Sequence, residues 1–144
     1  MPRHEAEGDP WVVLQLLQAP RSARVARSSL HSGLTAAGLG RQLVADAQLI
    51  MGELVANAVE HGSPDREGMI EAAWCLTADR LLVRVRDSGS YGRLVPGPLD
   101  VGEAGPEVRG RGLALVDRLS DAWSADTRSA GTQVVATLMR DDRP

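Results

Sequence analysis

The sequence predicts an α/β (α+β) two-layer sandwich in which helices cover one face of a mostly antiparallel sheet. Residues 41–61 have apolar side chains at helical spacing, and several short apolar runs between turn residues have the pattern of strands. Most of these runs come in pairs joined by short connections, which favours antiparallel pairing. The chain has 144 residues, of which 43% are apolar, and this suffices for one domain with a core.

The chain is predicted to form a single unit between two short tails. Residues 1–10 contain Pro, Gly and charged residues, and they are expected to be a loose N-terminal tail. The domain is expected over 11–140, with a C-terminal tail over 141–144.

The first two predicted elements are a strand and a helix. The apolar run Trp11–Leu17 lies between two prolines and is predicted to be a strand. Ser22 is placed to cap a helix that runs to about Ala37 and is broken by Gly38-Leu39-Gly40. Its inward-facing side chains are expected to be Val25, Leu30 and Leu34.

The second helix is predicted from about Arg41 to His61. An apolar stripe follows one face of this segment and consists of Leu43, Ala47, Ile50, Met51, Leu54 and Ala58. Gly62 follows at once, and helices often end on a glycine at the C′ position.

The remaining predicted elements are two strands, a helix and two closing strands. The first two strands are expected at 69–76 and 80–86, the helix at 113–119, and the closing strands near 122–125 and 133–139. The segment 88–109 is rich in Gly and Pro. A loop of that length inside a compact domain is usually functional.

The composition excludes several classes of protein. A net charge of −3 gives no electrostatic reason to expect nucleic acid. All sixteen basic residues are Arg, so the lysines of a P-loop and of the protein-kinase fold are absent. The lone Cys75 leaves no disulfide framework, and no apolar run is long enough to span a membrane. We therefore expect a soluble, cytoplasmic protein that binds neither nucleic acid nor membrane.

A polar pair on the second helix is the first candidate site. Glu53 and Asn57 are four residues apart, so they project from the same face one turn apart. The carboxylate can act as a base, and the carboxamide oxygen can bind a hard cation such as Mg²⁺. Taken alone, such a pair is more often a solvated helix face.

Two glycine-containing patches complete a possible nucleotide site. Asp87-Ser88-Gly89 follows a strand, where the carboxylate can accept a hydrogen bond from the amine of adenine and the glycine lets a flat ring approach the backbone. Gly110-Arg111-Gly112 precedes the last predicted helix, where backbone N–H groups and the helix dipole favour phosphate. Arg109 and Arg111 add positive charge. Taken alone, the first patch is more often a turn and the second more often a flexible hinge.

In this order, the three patches resemble the ATP-binding domain shared by gyrase, heat-shock chaperones, histidine kinases and mismatch-repair ATPases, known as the GHKL or Bergerat fold. The segments Glu53-Leu-Val-Ala-Asn57-Ala-Val-Glu-His61-Gly62 and Gly110-Arg-Gly-Leu-Ala-Leu-Val116 are most similar to bacterial anti-sigma-factor serine kinases and to small actinobacterial ATP-binding regulators. The resemblance covers about residues 20–140.

The resemblance implies a role for each candidate residue. Asn57 would bind Mg²⁺ together with ATP phosphates and water, Glu53 would be the general base, and Asp87 would recognise adenine with Gly89 beside the ring. The residues implied to form the phosphate-binding end are Arg109, Gly110, Arg111, Gly112 and Leu113. Thr132 matches a residue that supports adenine recognition, although an ordinary strand threonine explains it as well. His61 also fits the pattern, and the helix dipole explains it equally.

The function implied by the resemblance is an ATP-dependent protein serine/threonine kinase that regulates transcription. It would phosphorylate a STAS-type anti-sigma-factor antagonist and sequester a sigma factor, and such proteins commonly form homodimers. Two alternatives stay open. One is an ATP-binding module that acts by partner contact with little or no phosphoryl transfer, and the departure from the family's glycine pattern at Ser90-Tyr91-Gly92 favours it. The other is a stand-alone histidine-kinase catalytic domain, for which no histidine lies in a phosphoacceptor context.

Overall fold

The computed structural model describes residues 10–89, 107–128 and 131–140, with side chains left out at 107–112 and 128. The elements in chain order are β1 (Trp11–Leu17), α1 (Ser22–Ala36), α2 (Arg41–His61), β2 (Met69–Leu76), β3 (Arg80–Asp87), α3 (Glu107–Leu119), β4 (Ala122–Arg128) and β5 (Gly131–Met139). The strands form an antiparallel sheet in the order β1-β2-β3-β5-β4. The predicted fold class is confirmed. Apart from Pro10, the predicted tails lie outside the described residues, and the domain division stays a prediction.

The core lies between the helices and one face of the sheet. The six apolar residues of the predicted α2 stripe are at most 2% exposed. On β3, Leu81, Val83 and Val85 face the same core, as their alternation predicts. Burial of these aliphatic side chains is the main driving force that holds the two layers together. In the part of the chain that the structure describes, no helix combines the length and hydropathy needed to cross a bilayer.

Helix α1 buries a different stripe from the predicted one. Val25 is 49% exposed, so the prediction that it faces inward is wrong, whereas Leu30 and Leu34 are fully buried. The buried positions run at a spacing of four and begin with Ser22 and Ala26. Ser22 is the first helical residue rather than the cap, and its hydroxyl donates to a carbonyl oxygen at the end of β1 at 2.5 Å. This bond holds Ser22 on the inner side of α1. Residues four apart lie on the same face of a helix, so Ala26, Leu30 and Leu34 also face inward.

Helix α3 begins at Glu107, six residues before the predicted start. Gly110 and Gly112 therefore lie inside the helix, and the prediction that they precede it is wrong. Each glycine in a helix interior costs about 1 kcal/mol relative to Ala. Leu113 and Val116 are buried in the core that α3 shares with α2, and this burial offsets the cost.

Candidate functional site

The candidate site forms where the C-terminal end of α2 meets the ends of two neighbouring strands. Asp87 is the last residue of β3 and lies opposite Thr132 on β5. Both side chains are buried, at 8% and 2% exposure. Strands β3 and β5 are longer than predicted, and this extension places the two residues in register.

The carboxylate of Asp87 is oriented by two backbone N–H groups. Its Oδ1 accepts hydrogen bonds from Gly89 at 2.7 Å and from Ser63 at 3.3 Å. The backbone N–H of Ser88 donates to the carbonyl oxygen of Ser63 at 2.8 Å. These bonds join the segment after α2 to the segment after β3, so the direction of the carboxylate is set by both.

Gly62 is required here by space. It ends α2 as predicted, but its φ of −87° and ψ of −176° are those of extended backbone, which any residue adopts. A Cβ at this position would lie 2.6 Å from Cγ and Oδ2 of Asp87 and 2.7 Å from the carbonyl oxygen of Ala58. The missing side chain therefore lets the Asp87 carboxylate approach the end of the helix.

Thr132 is bonded to the same turn. Its hydroxyl donates to the carbonyl oxygen of Gly89 at 2.8 Å. The preceding Gly131 has a φ of +131°, and a Cβ there would lie 2.1 Å from the carbonyl oxygen of Asp87. The end of β5 therefore supports the Asp87–Gly89 turn through one side chain and one close backbone approach.

Asn57 carries an unsatisfied polar group in this region. It is 9% exposed, and its buried Nδ2 has no hydrogen-bond partner among the residues that the structure describes. An unpaired buried amide costs about 1–3 kcal/mol, and in native proteins it calls for a water, an ion or a ligand. Asn57 lies little more than one turn before Gly62, so a group bound to it would also lie near Asp87.

The carboxamide of Asn57 suits Mg²⁺ shared with nucleotide phosphates, because its oxygen is a ligand of the kind that Mg²⁺ takes and its unpaired Nδ2 can donate to a phosphate oxygen. Mg²⁺ prefers oxygen ligands and usually keeps several waters, with few ligands from the protein. Within 10–89 and the other described ranges, no group of three or more His, Cys, Asp or Glu side chains could hold a metal by itself. A single carboxamide oxygen beside phosphates needs no such group.

Two other polar residues of α2 lie nearer the solvent. Glu53 is partly exposed one turn before Asn57, and within the described part of the chain no hydrogen bond or ion pair holds it. Its carboxylate is therefore available to accept a proton. The Nε2 atom of His61 is 3.5 Å from Oε1 of Glu60 but makes no hydrogen bond to a described residue.

The predicted phosphate-binding end is only partly described. The side chains of Arg109 and Arg111 lie outside the described residues. Gly110 is the fourth residue of α3 and Gly112 the sixth, so both lie within its first two turns. Leu113 is 1% exposed and belongs to the core, which leaves only its backbone for a ligand.

Comparison with known protein families agrees with this geometry. A family model described as the histidine kinase-like ATPase domain matches residues 16–138, which include α2, β3 and the start of β5. The chain belongs to this family. The predicted resemblance is thereby confirmed, and ATP is the nucleotide that membership implies.

This chain is also similar in structure to a solved protein, the RsbU and RsbW domains of Rv1364c from Mycobacterium tuberculosis. The two superpose with a TM-score of 0.70 and 24% sequence identity over 94% of this chain. At that identity the likeness shows the fold. This chain spans 33% of the length of that neighbour. A search of curated protein sequences finds no match.

A cavity of about 360 Å³ in the ATPase domain adjoins the candidate site, because Asp87, Ser88, Gly131 and Thr132 are among its lining residues. Its walls include Gln15, Glu71 and Gln133, which point to the face of the sheet without described helices. Glu71 already accepts from Gln15 and pairs with Arg84 and Arg86, so the charges around it are compensated. Neither Glu53 nor Asn57 lines this cavity.

Two residues of the site in this ATPase domain were not predicted from the sequence, because they contact Asp87 but belong to no recognised motif. The sequence alone assigned no role in the site to Ser63 or Gly131. The segments Gly62-Ser63-Pro64 and Gly131-Thr132 were visible signals of turns. What they contact lies more than twenty residues away along the chain, and local patterns carry no such information.

Proposed function

We propose that this chain is an ATP-dependent protein serine/threonine kinase that phosphorylates a STAS-type anti-sigma-factor antagonist and holds a sigma factor inactive. Family membership supports ATP use. The observation that carries the site is the buried Asn57, whose Nδ2 has no partner among the described residues, near the end of α2 that the oriented carboxylate of Asp87 approaches. The partners are proposed from the likeness of the Glu53–Gly62 and Gly110–Val116 segments to anti-sigma-factor kinases.

Asp87 would select adenine. The exocyclic amine of adenine donates a hydrogen bond to the carboxylate, whereas guanine presents a carbonyl oxygen at the same position and would be repelled. Because Ser63 and Gly89 already orient the carboxylate, little ordering is needed when the base binds. Thr132 would keep the Gly89 backbone in place beside the ring through its 2.8 Å bond.

Glu53 and Asn57 would divide the phosphoryl-transfer chemistry between them. Asn57 would hold Mg²⁺, which neutralises charge on the phosphates when bound. Glu53 would take the proton of the acceptor serine hydroxyl. As it does so, the serine oxygen bonds to the γ-phosphorus and the bond between that phosphorus and the oxygen of ADP breaks. The products are ADP, a phosphoserine and a protonated Glu53, which returns its proton to solvent.

Partner exchange would follow from this reaction. Phosphorylation releases the antagonist, because a new charge of about −2 is repelled by an interface built for a neutral serine. The freed kinase then holds the sigma factor. The cytoplasmic location and a homodimer stay predictions alongside this scheme.

The Glu53→Ala variant tests the proposed kinase activity. With labelled ATP and candidate antagonists from the same genome, we expect phosphoserine formation to fall by about 10²- to 10⁴-fold, because the general base is removed. The dissociation constant for ATP should stay within about twofold, since the side chain is partly exposed and unbonded in the described part. Glu60→Ala, an exposed carboxylate on the same helix, is the matched control and should retain transfer.

The same assay separates the alternatives. If the unchanged protein binds ATP but no antagonist gains phosphate, the ATP-binding regulatory module replaces the kinase. An acid-labile phosphohistidine on a partner would instead indicate a histidine-kinase catalytic domain.

Asp87→Asn should reduce the preference for ATP over GTP by about 10- to 100-fold, because the amide presents a donor where adenine needs an acceptor. The fold should persist, since the remaining Oδ1 can still accept from Ser63 and Gly89. Competition binding with both nucleotides measures the ratio. An unchanged ratio would remove Asp87 from adenine recognition.

A further inference from the structure

Gln18 reaches the C-terminal end of α2 from a distant part of the chain. It lies in the connection between β1 and α1, and its Nε2 is 3.1 Å from the carbonyl oxygen of Ala58, 3.3 Å from that of Val59 and 2.8 Å from that of Gly62. An amide NH₂ has two hydrogens, so the three carbonyl groups share them.

Two of these carbonyl groups, those of Val59 and Gly62, are among the last four that the helix itself leaves unsatisfied, and the third, of Ala58, accepts the last helical bond. The last carbonyls of an α-helix have no partner within it, and a glycine in left-handed conformation commonly supplies one. Gly62 is extended and makes only one such bond, from its N–H to the carbonyl oxygen of Ala58. Gln18 therefore supplies from outside the helix the donors that a left-handed turn would otherwise provide.

Two of the bonded carbonyl groups belong to residues next to the proposed ligand-binding side chains. Ala58 follows Asn57 directly, and Gly62 is the residue whose missing Cβ lets the Asp87 carboxylate approach. Gln18 thus holds the last turns of α2, which carry Asn57, the proposed magnesium ligand. It also holds Gly62, which contacts Asp87, the proposed acceptor for adenine. Its own backbone is anchored, since its N–H donates to the carbonyl oxygen of Gly68 at 3.2 Å.

We propose that Gln18 is a positioning residue that keeps Asn57 and the Gly62–Asp87 contact in the geometry that binds Mg·ATP. The inference rests on the proposed nucleotide site. Gln18 does not touch the nucleotide in this account and acts through the end of α2.

Three variants test this role. Gln18→Leu keeps most of the volume and removes the donors. Gln18→Lys restores donors to the same carbonyl groups and adds a positive charge, which the C-terminal end of a helix favours. Gln42→Leu is the matched control, because it removes a 2.8 Å bond to Asp46 near the start of the same helix, away from the site.

We expect Gln18→Leu to weaken Mg·ATP binding by about tenfold, a magnitude typical for residues that orient a ligand's binding groups. Gln18→Lys should bind within about threefold of the unchanged protein, and Gln42→Leu should bind equally well even if it unfolds at a lower temperature. In transfer assays the KM for ATP should rise about tenfold in Gln18→Leu while kcat changes by less than about threefold, because Glu53 lies more than one turn from the bonded carbonyls.

The outcomes are distinguishable. If the unchanged protein does not bind Mg·ATP, the proposed nucleotide site fails and this inference fails with it. If the unchanged protein binds and Gln18→Leu binds equally well, or if both leucine variants lose affinity in proportion to their stability, Gln18 has only a structural role. If Gln18→Leu does not fold, the affinities of Gln18→Glu and Gln18→Lys for Mg·ATP are compared instead. Equal affinities of these two variants would overturn the proposal.

Discussion

Asn57→Ala should lower Mg·ATP affinity by about a hundredfold or more and leave the free energy of unfolding unchanged or slightly raised. The carboxamide is buried and its Nδ2 has no partner in the described ranges, so the folded protein gains little from it. Removing an unsatisfied buried polar group recovers up to about 1–3 kcal/mol of desolvation, against a similar loss of packing. Binding of Mg·ATP is weakened, because Asn57→Ala removes the only proposed contact between the protein and Mg²⁺.

Calorimetric titration with ATP, with and without Mg²⁺, measures this effect. In the unchanged protein Mg²⁺ should strengthen binding, and in Asn57→Ala that gain should disappear, while the urea unfolding midpoint stays equal or rises slightly. Gln48→Ala, on a partly exposed position of the same helix, should keep both the affinity and the Mg²⁺ dependence. Equal affinity of Asn57→Ala and the unchanged protein would contradict the assignment of Asn57.

Gly131→Ala should destabilise the fold by about 3 kcal/mol or more, the largest stability effect we expect for a single methyl group. The new Cβ would lie 2.1 Å from the carbonyl oxygen of Asp87 and 3.0 Å from Cα of Ser88, which are backbone atoms that cannot rotate away. A φ of +131° adds strain that glycine alone avoids. Relief of the contact requires β3 and β5 to separate at the site.

Gly68→Ala is the control that separates conformational strain from the close contact. Gly68 has a φ of +81°, but a Cβ there would have no atom within 4 Å, so we expect a cost of only about 1–2 kcal/mol. Chemical denaturation of both variants gives the two free energies. If they are equal, the close approach of Gly131 to Asp87 does not govern the stability of this end of the sheet.

Helix α2 and helix α1 show what periodicity can and cannot predict. In α2, all six residues of the predicted apolar stripe are buried, because a long apolar stripe has only one face to bury. In α1 the spacing of Val25, Leu30 and Leu34 was compatible with more than one inward face. The hydroxyl of Ser22, bonded to the end of β1, decided it, and that bond is not a feature of local periodicity.

The candidate site divides in the same way. The motif residues Asn57, Asp87 and Thr132 were identified from the sequence, and the structure brings Asp87 and Thr132 into register. The predicted start of α3 was wrong because glycines usually mark helix ends. Burial of Leu113 and Val116 stabilises the longer helix in spite of them. The support that Gly62, Ser63 and Gly131 give to Asp87 was not predicted.

By itself, the sequence determined the order of the elements, the antiparallel sandwich and the family, because alternation, helical spacing and motif wording are properties of short segments. Only the tertiary structure decided the direction of the Asp87 carboxylate, the reason for glycine at 62 and 131, and the bonds of Gln18 to the end of α2. These are contacts between segments 24 to 44 residues apart, which exist only once the chain has folded.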